Sequence, residues 1–558
     1  MKLLLLLVGL LACACGAPNT VRAPLGDDGG PPAKRCLLLT TNDGEAHFDG
    51  PRLGTADKPL YVGSISRVAA ERKRLAGLHP GSVLLVNSGD DLQGRYMERE
   101  DGERAKAAKE AWQVYEKAGY DLGTLGNHEF DAGPKVVRAA LEGLTRYRIL
   151  VANVELAGSP LDPTTTTAGP GGKLLEERKI VTCGGIRIGF FGLLTPSTRT
   201  ISDFGGMRFR SPDDPVHAPA REQVAALKAE GAELIVALTH LGVDDDLKLA
   251  GAVDGIDAIV GGHSHTPLFW WKKVGPTVIV QAGARFSHLG YLEMVAKRGA
   301  PGLDHARSSW TLRPLTEALP ADAEVVAAVD DLRKNLIPER VIGVRKVAWD
   351  VTGGDKTEYG RRAARATHQY AARVSGKAVD AALLNSGGLR SNTVYPPGPV
   401  TNVEVHAIHP FKNHLVLVTL TSEQLRDVME QACSSGRNDK HGSRAVQWNL
   451  QFKCDPDKPA VAYRYEENRP VAIAERGQRV VELKVGGKDV VPGQRYTLAT
   501  LDYLARGGSS YLPLRQGERI CLDGKGYTDE HSCPGSPLLS EVIESAVKDG
   551  SLDAPLPN

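Results

Sequence analysis

The chain of 558 residues lacks an excess of either charge, an apolar run that could cross a bilayer, a C-x-x-C pair and any internal repeat. Lys and Arg number 68 against 67 Asp and Glu, so no basic surplus speaks for polymeric nucleic acid as a partner. No stretch reaches the roughly 18 consecutive apolar residues of a membrane-spanning helix. The missing C-x-x-C spacing removes the common structural zinc site. What is present is ordinary: 24% charged and 42% hydrophobic residues, which excludes wholesale disorder. The 61 glycines and 34 prolines point to many loops between short elements. The length suits two large domains or three smaller ones.

Lys2 precedes the apolar run Leu3–Ala12, too short to span a membrane and suited to a signal-peptide core. Residues 1–12 are therefore expected to be a signal peptide. The run ends in Leu10-Leu11-Ala12-Cys13, which resembles the lipobox of bacterial lipoproteins, where the cysteine is lipidated. Cys15 offers a competing site, and an ordinary secretory signal is the alternative. Residues 13–35, rich in Gly, Pro and Ala without periodicity, read as a flexible tether. Six cysteines follow: Cys36, Cys183, Cys433, Cys454, Cys521 and Cys533. An even number in an exported chain suits disulfides. Loop length favours Cys521–Cys533 and Cys433–Cys454, leaving Cys36–Cys183, with other pairings open.

Through the first 300 residues, short apolar runs alternate with helical patterns, which argues for an α/β layered domain. Residues 37–41, 83–87, 121–125, 149–153, 186–193, 234–239 and 258–261 read as buried strands ending in polar residues; 62–78 and 218–230 read as helices. In 323–336, Val325, Val329, Leu332 and Leu336 share one helix face before Pro338, so a connector helix is expected within 321–340. A second α/β block follows over 341–558, with strands at 381–385 and 496–501 and a helix at 422–432.

Polar residues gather where the predicted strands end. The first delivers Asn42-Asp43-Gly44-Glu45-Ala46-His47, the next Gly89-Asp90, the third Gly126-Asn127-His128-Glu129-Phe130-Asp131. Later strands deliver Thr239-His240 and Gly262-His263-Ser264-His265. The carboxyl ends of strands are where α/β sheets build sites. Carboxylates, an amide and imidazoles converging from five strand ends suit two adjacent metal sites. A lone Gly-Asp is more often a turn, and a lone buried histidine a core residue; the ordered set of five has no such bland explanation.

These motifs resemble the calcineurin-like metallophosphoesterases, whose pattern is D-x-H, G-D, G-N-H-E, H and G-H-x-H. More narrowly, the chain is similar to the exported bacterial 5′-nucleotidase family, through Asn127-His128-Glu129-Phe130-Asp131, Leu384-Asn385-Ser386-Gly387-Gly388-Leu389-Arg390, Pro410-Phe411 and the run from Leu501 to Gly508. The resemblance covers roughly residues 36 to 515. It implies an N-terminal four-layer α/β/β/α metallophosphoesterase sandwich (36–320) and a second α/β substrate-binding domain (341–558). Two divalent cations, of Mn, Zn, Mg or Ca, would be held by Asp43, Glu45, Asp90, Asn127, His240, His263 and His265, with Asp90 bridging. A bridging hydroxide would attack phosphorus. His128, held by Asp131, would contact the phosphoryl oxygens.

Glu45 departs from the family histidine. It would ligate as a carboxylate and make that site harder; otherwise His47 swings in, or the site is weakened. In the second domain the resemblance implies that Arg390 binds phosphate, Asn385 the base or ribose, and Tyr503 and Trp448 clamp the base. Gly508-Ser509-Ser510-Tyr511 lacks the carboxylate of the family's Gly-Asp-Gly-Tyr. Arg361, Arg362 and Arg365 stand where the family helix is mostly neutral, reading either as a feature for a more anionic substrate or as a solvated face. The expected activity is release of phosphate from nucleotides outside the cytoplasm, with membrane attachment through an N-terminal lipid. The alternatives are a 2′,3′-cyclic-nucleotide phosphodiesterase or UDP-sugar hydrolase on the same scaffold, and a catalytically silent nucleotide-binding surface protein.

Overall fold

The computed structural model describes residues 33–556 except 51, 56–57, 62, 98–102, 163–174, 337, 353–356, 391–393, 435–444, 467–468, 525–526, 528–532 and 534. The expected signal peptide, Cys13 and Cys15, nearly all of the tether and most of the 159–172 loop lie outside the described residues. No helix among the described residues is long and apolar enough to cross a membrane.

Two sheets stack face to face in the first half. The seven-stranded one runs Ser309–Pro314, His288–Val295, Arg35–Thr41, Val83–Asn87, Leu122–Thr124, Arg148–Leu150, Leu175–Glu176. The six-stranded one runs Lys272–Val274, Thr277–Val280, Ala258–Gly261, Leu234–His240, Ile186–Leu194, Arg178–Cys183. The strands whose ends were singled out pair in parallel, which brings their carboxyl ends to one edge. Leu38, Val86, Ile188, Val236 and Val260 fill the space between the sheets. Their alternate neighbours face outward: Leu39 and Leu85 meet the helices Ile65–Leu78 and Arg104–Ala118, while Ile235 and Ile259 meet His217–Ala229 and Val243–Ala252. The side-chain period of two thus feeds two cores at once, and the four-layer α/β/β/α sandwich forms as expected.

The helix expected as a connector is Ala323–Arg333, started by Asp322, whose side chain accepts from the backbone of Glu324 and Val325. Val325, Val329, Leu332 and Leu336 are buried in the first core. That apolar face makes the helix part of the outer layer of the first half.

The second half folds on a five-stranded sheet ordered Ala445–Trp448, Ala381–Asn385, Arg495–Leu501, Leu415–Thr421, Glu518–Cys521. Glu358–Ser375 and Leu539–Lys548 cover one face and Ser422–Ser434 the other. Arg362 and Arg365 correct an expectation here. They are buried at 5% and 4% exposure, and their guanidinium groups donate to the carbonyls of Ser551, Leu552, Ala554 and Pro555. They fasten the 551–555 segment, and neither faces solvent nor lines the cleft described below. Among the described residues three disulfides form: Cys36–Cys183, Cys433–Cys454 and Cys521–Cys533.

Candidate metal centre

The strand-end loops are stitched to one another by their own backbones. Asp43 N donates to Gly89 O at 2.9 Å and Glu45 N to Asp90 O at 2.7 Å, while the Asp43 carboxylate accepts from His263 N at 3.0 Å. The approach is close enough to exclude side chains: a Cβ on Gly126 would collide with the Asp90 carboxylate, and one on Gly262 would lie 2.7 Å from Ser88 O. Asp43, Glu45, Asp90, His263 and His265 all carry positive φ, from 47° to 74°. Left-handed backbone at such residues is uphill, persists only where the surroundings enforce it, and collects at functional sites.

Asp90, His240 and His263 each offer a ligand atom within 4.8 Å of the others. His240 Nε2 is 2.9 Å from Asp90 Oδ2 and 3.9 Å from Asp43 Oδ1, and His265 Nε2 is 3.2 Å from the same Asp43 oxygen. His240 Nδ1 donates to Ser88 O at 2.6 Å, which leaves Nε2 available to a cation. Asn127 is buried, with an amide oxygen that has no hydrogen-bond partner. Burial opposes charge on Asp90, yet His240 and His128 hold its carboxyl well below the usual range. Burial likewise works against a charged His240, but Asp90 raises it to about 10. For His263, burial and the neighbouring His240 lower it to about 4. Buried carboxylates, imidazoles and an orphaned amide oxygen are a donor set that fits divalent cations.

Glu45 is brought to this cluster: Oε1 lies 3.7 Å from His265 Nε2, and Oε2 is 2.6 Å from Arg285 Nε. His47 Nδ1 donates to Glu45 O at 2.7 Å. Glu129, which the sequence left without a role, is the clamp of the loops. Its carboxylate accepts from Gly126 and Asp90 on one oxygen and from Asp91 and Leu92 on the other.

His128 stands beside the cluster, 3.9 Å from Asp90 Oδ2. Its Nδ1 donates to Asp131 Oδ2 at 2.8 Å. Burial disfavours its charge, but Asp131 and Asp90 outweigh burial and raise it to about 9. Arg390 of the second half reaches across, its Nη2 3.0 Å from His128 Nε2, and lies over the Phe411 ring at 5.4 Å.

His128 and Arg390 open onto a cavity of about 1030 Å³ whose wall also includes Asn127, Asp131, Asn385, Phe411 and Tyr503. The Asn385 side-chain oxygen is buried without a partner. Trp448 does not line the cavity. It sits on an edge strand, half-buried against the second core, with the Arg365 guanidinium 5.7 Å from its ring centre. Phe411 is on the wall, with Tyr503 and Phe204. Its Pro-Phe position was visible in the sequence, but nothing local marked it as facing the cavity.

Residues 60–267 match the calcineurin-like phosphoesterase family, and residues 344–514 match the 5′-nucleotidase C-terminal domain. The chain is 28% identical over 555 residues to the trifunctional nucleotide phosphoesterase of Bacillus subtilis, covering 92% of this chain and 35% of that longer protein. It is 26% identical over 566 residues to a probable 5′-nucleotidase of Treponema pallidum, covering 87% and 88%. Among solved structures, a 5′-nucleotidase precursor from Thermus thermophilus superposes with a TM-score of 0.75 at 26% identity, covering 93% of this chain and 97% of that one.

Proposed function

We propose that this chain, which belongs to the calcineurin-like phosphoesterases with a 5′-nucleotidase C-terminal domain and is a metal-dependent phosphoester hydrolase, releases phosphate from nucleotides. The observation that carries the reading is the 3.0 Å approach of Arg390 to His128, beside the Asp90, His240 and His263 cluster. A phosphoryl group seated there meets a guanidinium fork from one half and an imidazole from the other.

In this reading Asp43, Glu45, Asp90 and His265 hold one divalent cation, and Asn127, His240, His263 and the shared Asp90 hold a second. When bound, the cations supply positive charge to the phosphoryl oxygens and lower the pKa of the attacking water. Asp131 keeps His128 oriented, with Nε2 turned toward the phosphoryl oxygens. Arg390 anchors the phosphate, Asn385 offers its free oxygen to ribose or base, and Tyr503 and Phe411 flank the base. Three disulfides support an oxidising compartment, in keeping with export and attachment through Cys13.

Phosphate release is measured with added Mn²⁺ on AMP, 2′,3′-cyclic AMP, UDP-glucose and p-nitrophenyl phosphate. AMP is expected to be cleaved. His128→Ala should lower turnover by ~10²-fold or more while its metal content, read by elemental analysis, stays at the parent level. Cleavage of p-nitrophenyl phosphate with none of any nucleotide would overturn the nucleotide assignment, and an unchanged turnover in His128→Ala would remove His128 from the chemistry.

A further inference from the structure

Arg285 lies outside every motif above, yet the structure ties it to the metal centre on three counts. Its side chain is only 12% exposed and its Nε sits 2.6 Å from Glu45 Oε2. Its backbone N donates to Asp43 O at 2.8 Å, while Ala282 N donates to the Asn42 side chain, also at 2.8 Å. Arg285 and Phe286 both hold positive φ, 53° and 54°, with the Phe286 ring buried against Phe48 and Tyr115. The 282–286 loop is thus sewn to the loop that carries Asp43 and Glu45, in a conformation the packing must enforce.

The other carboxylate oxygen, Glu45 Oε1, is buried and makes no hydrogen bond. It is turned toward His265, whose Nε2 in turn meets Asp43. A buried carboxylate oxygen without a partner is costly unless something positive arrives. We infer that Arg285 is a positioning residue that holds Glu45 by one oxygen so that the other serves as a cation ligand, giving this half-site an oxygen-rich character selective for a hard cation. The inference rests on the two-cation reading above.

A charge comparison supports it. Exchanging a neutral imidazole for a carboxylate adds one negative charge, and a guanidinium 2.6 Å away restores the balance. The donors here are three carboxylates, Asp43, Glu45 and Asp90, with one imidazole, His265, a set that suits Mn²⁺ or Mg²⁺ better than Zn²⁺. The neighbouring set of His240, His263, Asn127 and Asp90 carries two imidazoles and suits a borderline cation. The two halves of the centre therefore differ in kind.

The test uses the full chain, dialysed against Mn²⁺ or Zn²⁺ alone, with bound metal per chain read by elemental analysis and titration. The parent should take two Mn²⁺, and the Glu45 site should show a smaller preference for Zn²⁺ over Mn²⁺ than its neighbour. Arg285→Gln should weaken that site by ~10–100-fold, the usual effect of removing a partner that orients a ligand, and leave the other unchanged. Arg285→Lys should recover part of the loss. Glu45→His combined with Arg285→Gln should restore two sites and move the preference toward Zn²⁺, which also guards against a single variant that folds poorly. Unchanged or tighter Mn²⁺ loading in Arg285→Gln would overturn the inference, as would unchanged loading in Glu45→Gln. A parent that binds fewer than two cations would instead overturn the reading beneath it.

Discussion

Glu129 offers the most quantitative handle on how the centre is built. Its two carboxylate oxygens accept four backbone N–H groups, two on each side, and it is 1% exposed. Glu129→Gln keeps the shape but turns one oxygen into an amide donor. Two N–H groups would then face a second donor at a buried position, each left unpaired at about 1–3 kcal/mol. The expected loss is about 2–6 kcal/mol, large against the 5–15 kcal/mol that typically holds a domain together. At roughly 2–4 °C per kcal/mol, the melting transition of the first half should fall by on the order of 10 °C. Cation binding should weaken as well, because the backbone N of Asp90 is one of the four donors. Glu142→Gln, on an exposed helix pair with Arg138, is the control and should change stability by less than ~0.5 kcal/mol. A Glu129→Gln protein that melts with the parent and binds Mn²⁺ equally well would show that these four hydrogen bonds are not what holds the loops.

Tyr503→Ala and Phe411→Ala should each raise KM for nucleotides by ~5–150-fold, the equivalent of about 1–3 kcal/mol of base stacking, and leave p-nitrophenyl phosphate nearly unaffected. Trp448→Ala should show no nucleotide-selective loss, and kinetics accompanied by melting curves separate these outcomes from unfolding. Asp246 is buried beneath the centre, with Thr239 donating to one oxygen at 2.6 Å and the other unpartnered. Burial raises it from 3.8 to about 8, so the folded chain keeps a proton that the unfolded chain releases. That contribution is complete below pH 3.8 and is lost as pH rises toward about 8. Asp246→Asn should therefore gain stability relative to the parent between those limits in denaturant titrations, and parallel pH curves would refute the assignment.

The sequence made some of this visible and hid the rest for identifiable reasons. Strands such as Val83–Asn87 and Ala258–Gly261 were legible because short apolar runs end abruptly in polar residues, and the loops that follow hold the candidate ligands in order. Arg285 was not legible, since its partner Glu45 lies 240 residues away and no local pattern announces a guanidinium that supports a ligand. Trp448 and Phe411 show the same limit from the other side. Both are aromatics near plausible positions, but whether a ring faces a core or a cavity is decided by which strand or loop it lies on after folding. Arg362 and Arg365 looked like a polar face because helical periodicity cannot foresee a distant segment, 551–555, laid across them.

The contact between Arg390 and His128 also bears on how such a protein can change over generations. On the proposed function, the residues that would hold the cations come from one stretch of chain, and those that would select the leaving part of the substrate come from another. New substrates can therefore be explored by altering residues after 341 while the chemistry upstream is inherited intact, provided one arginine still meets one histidine across the boundary.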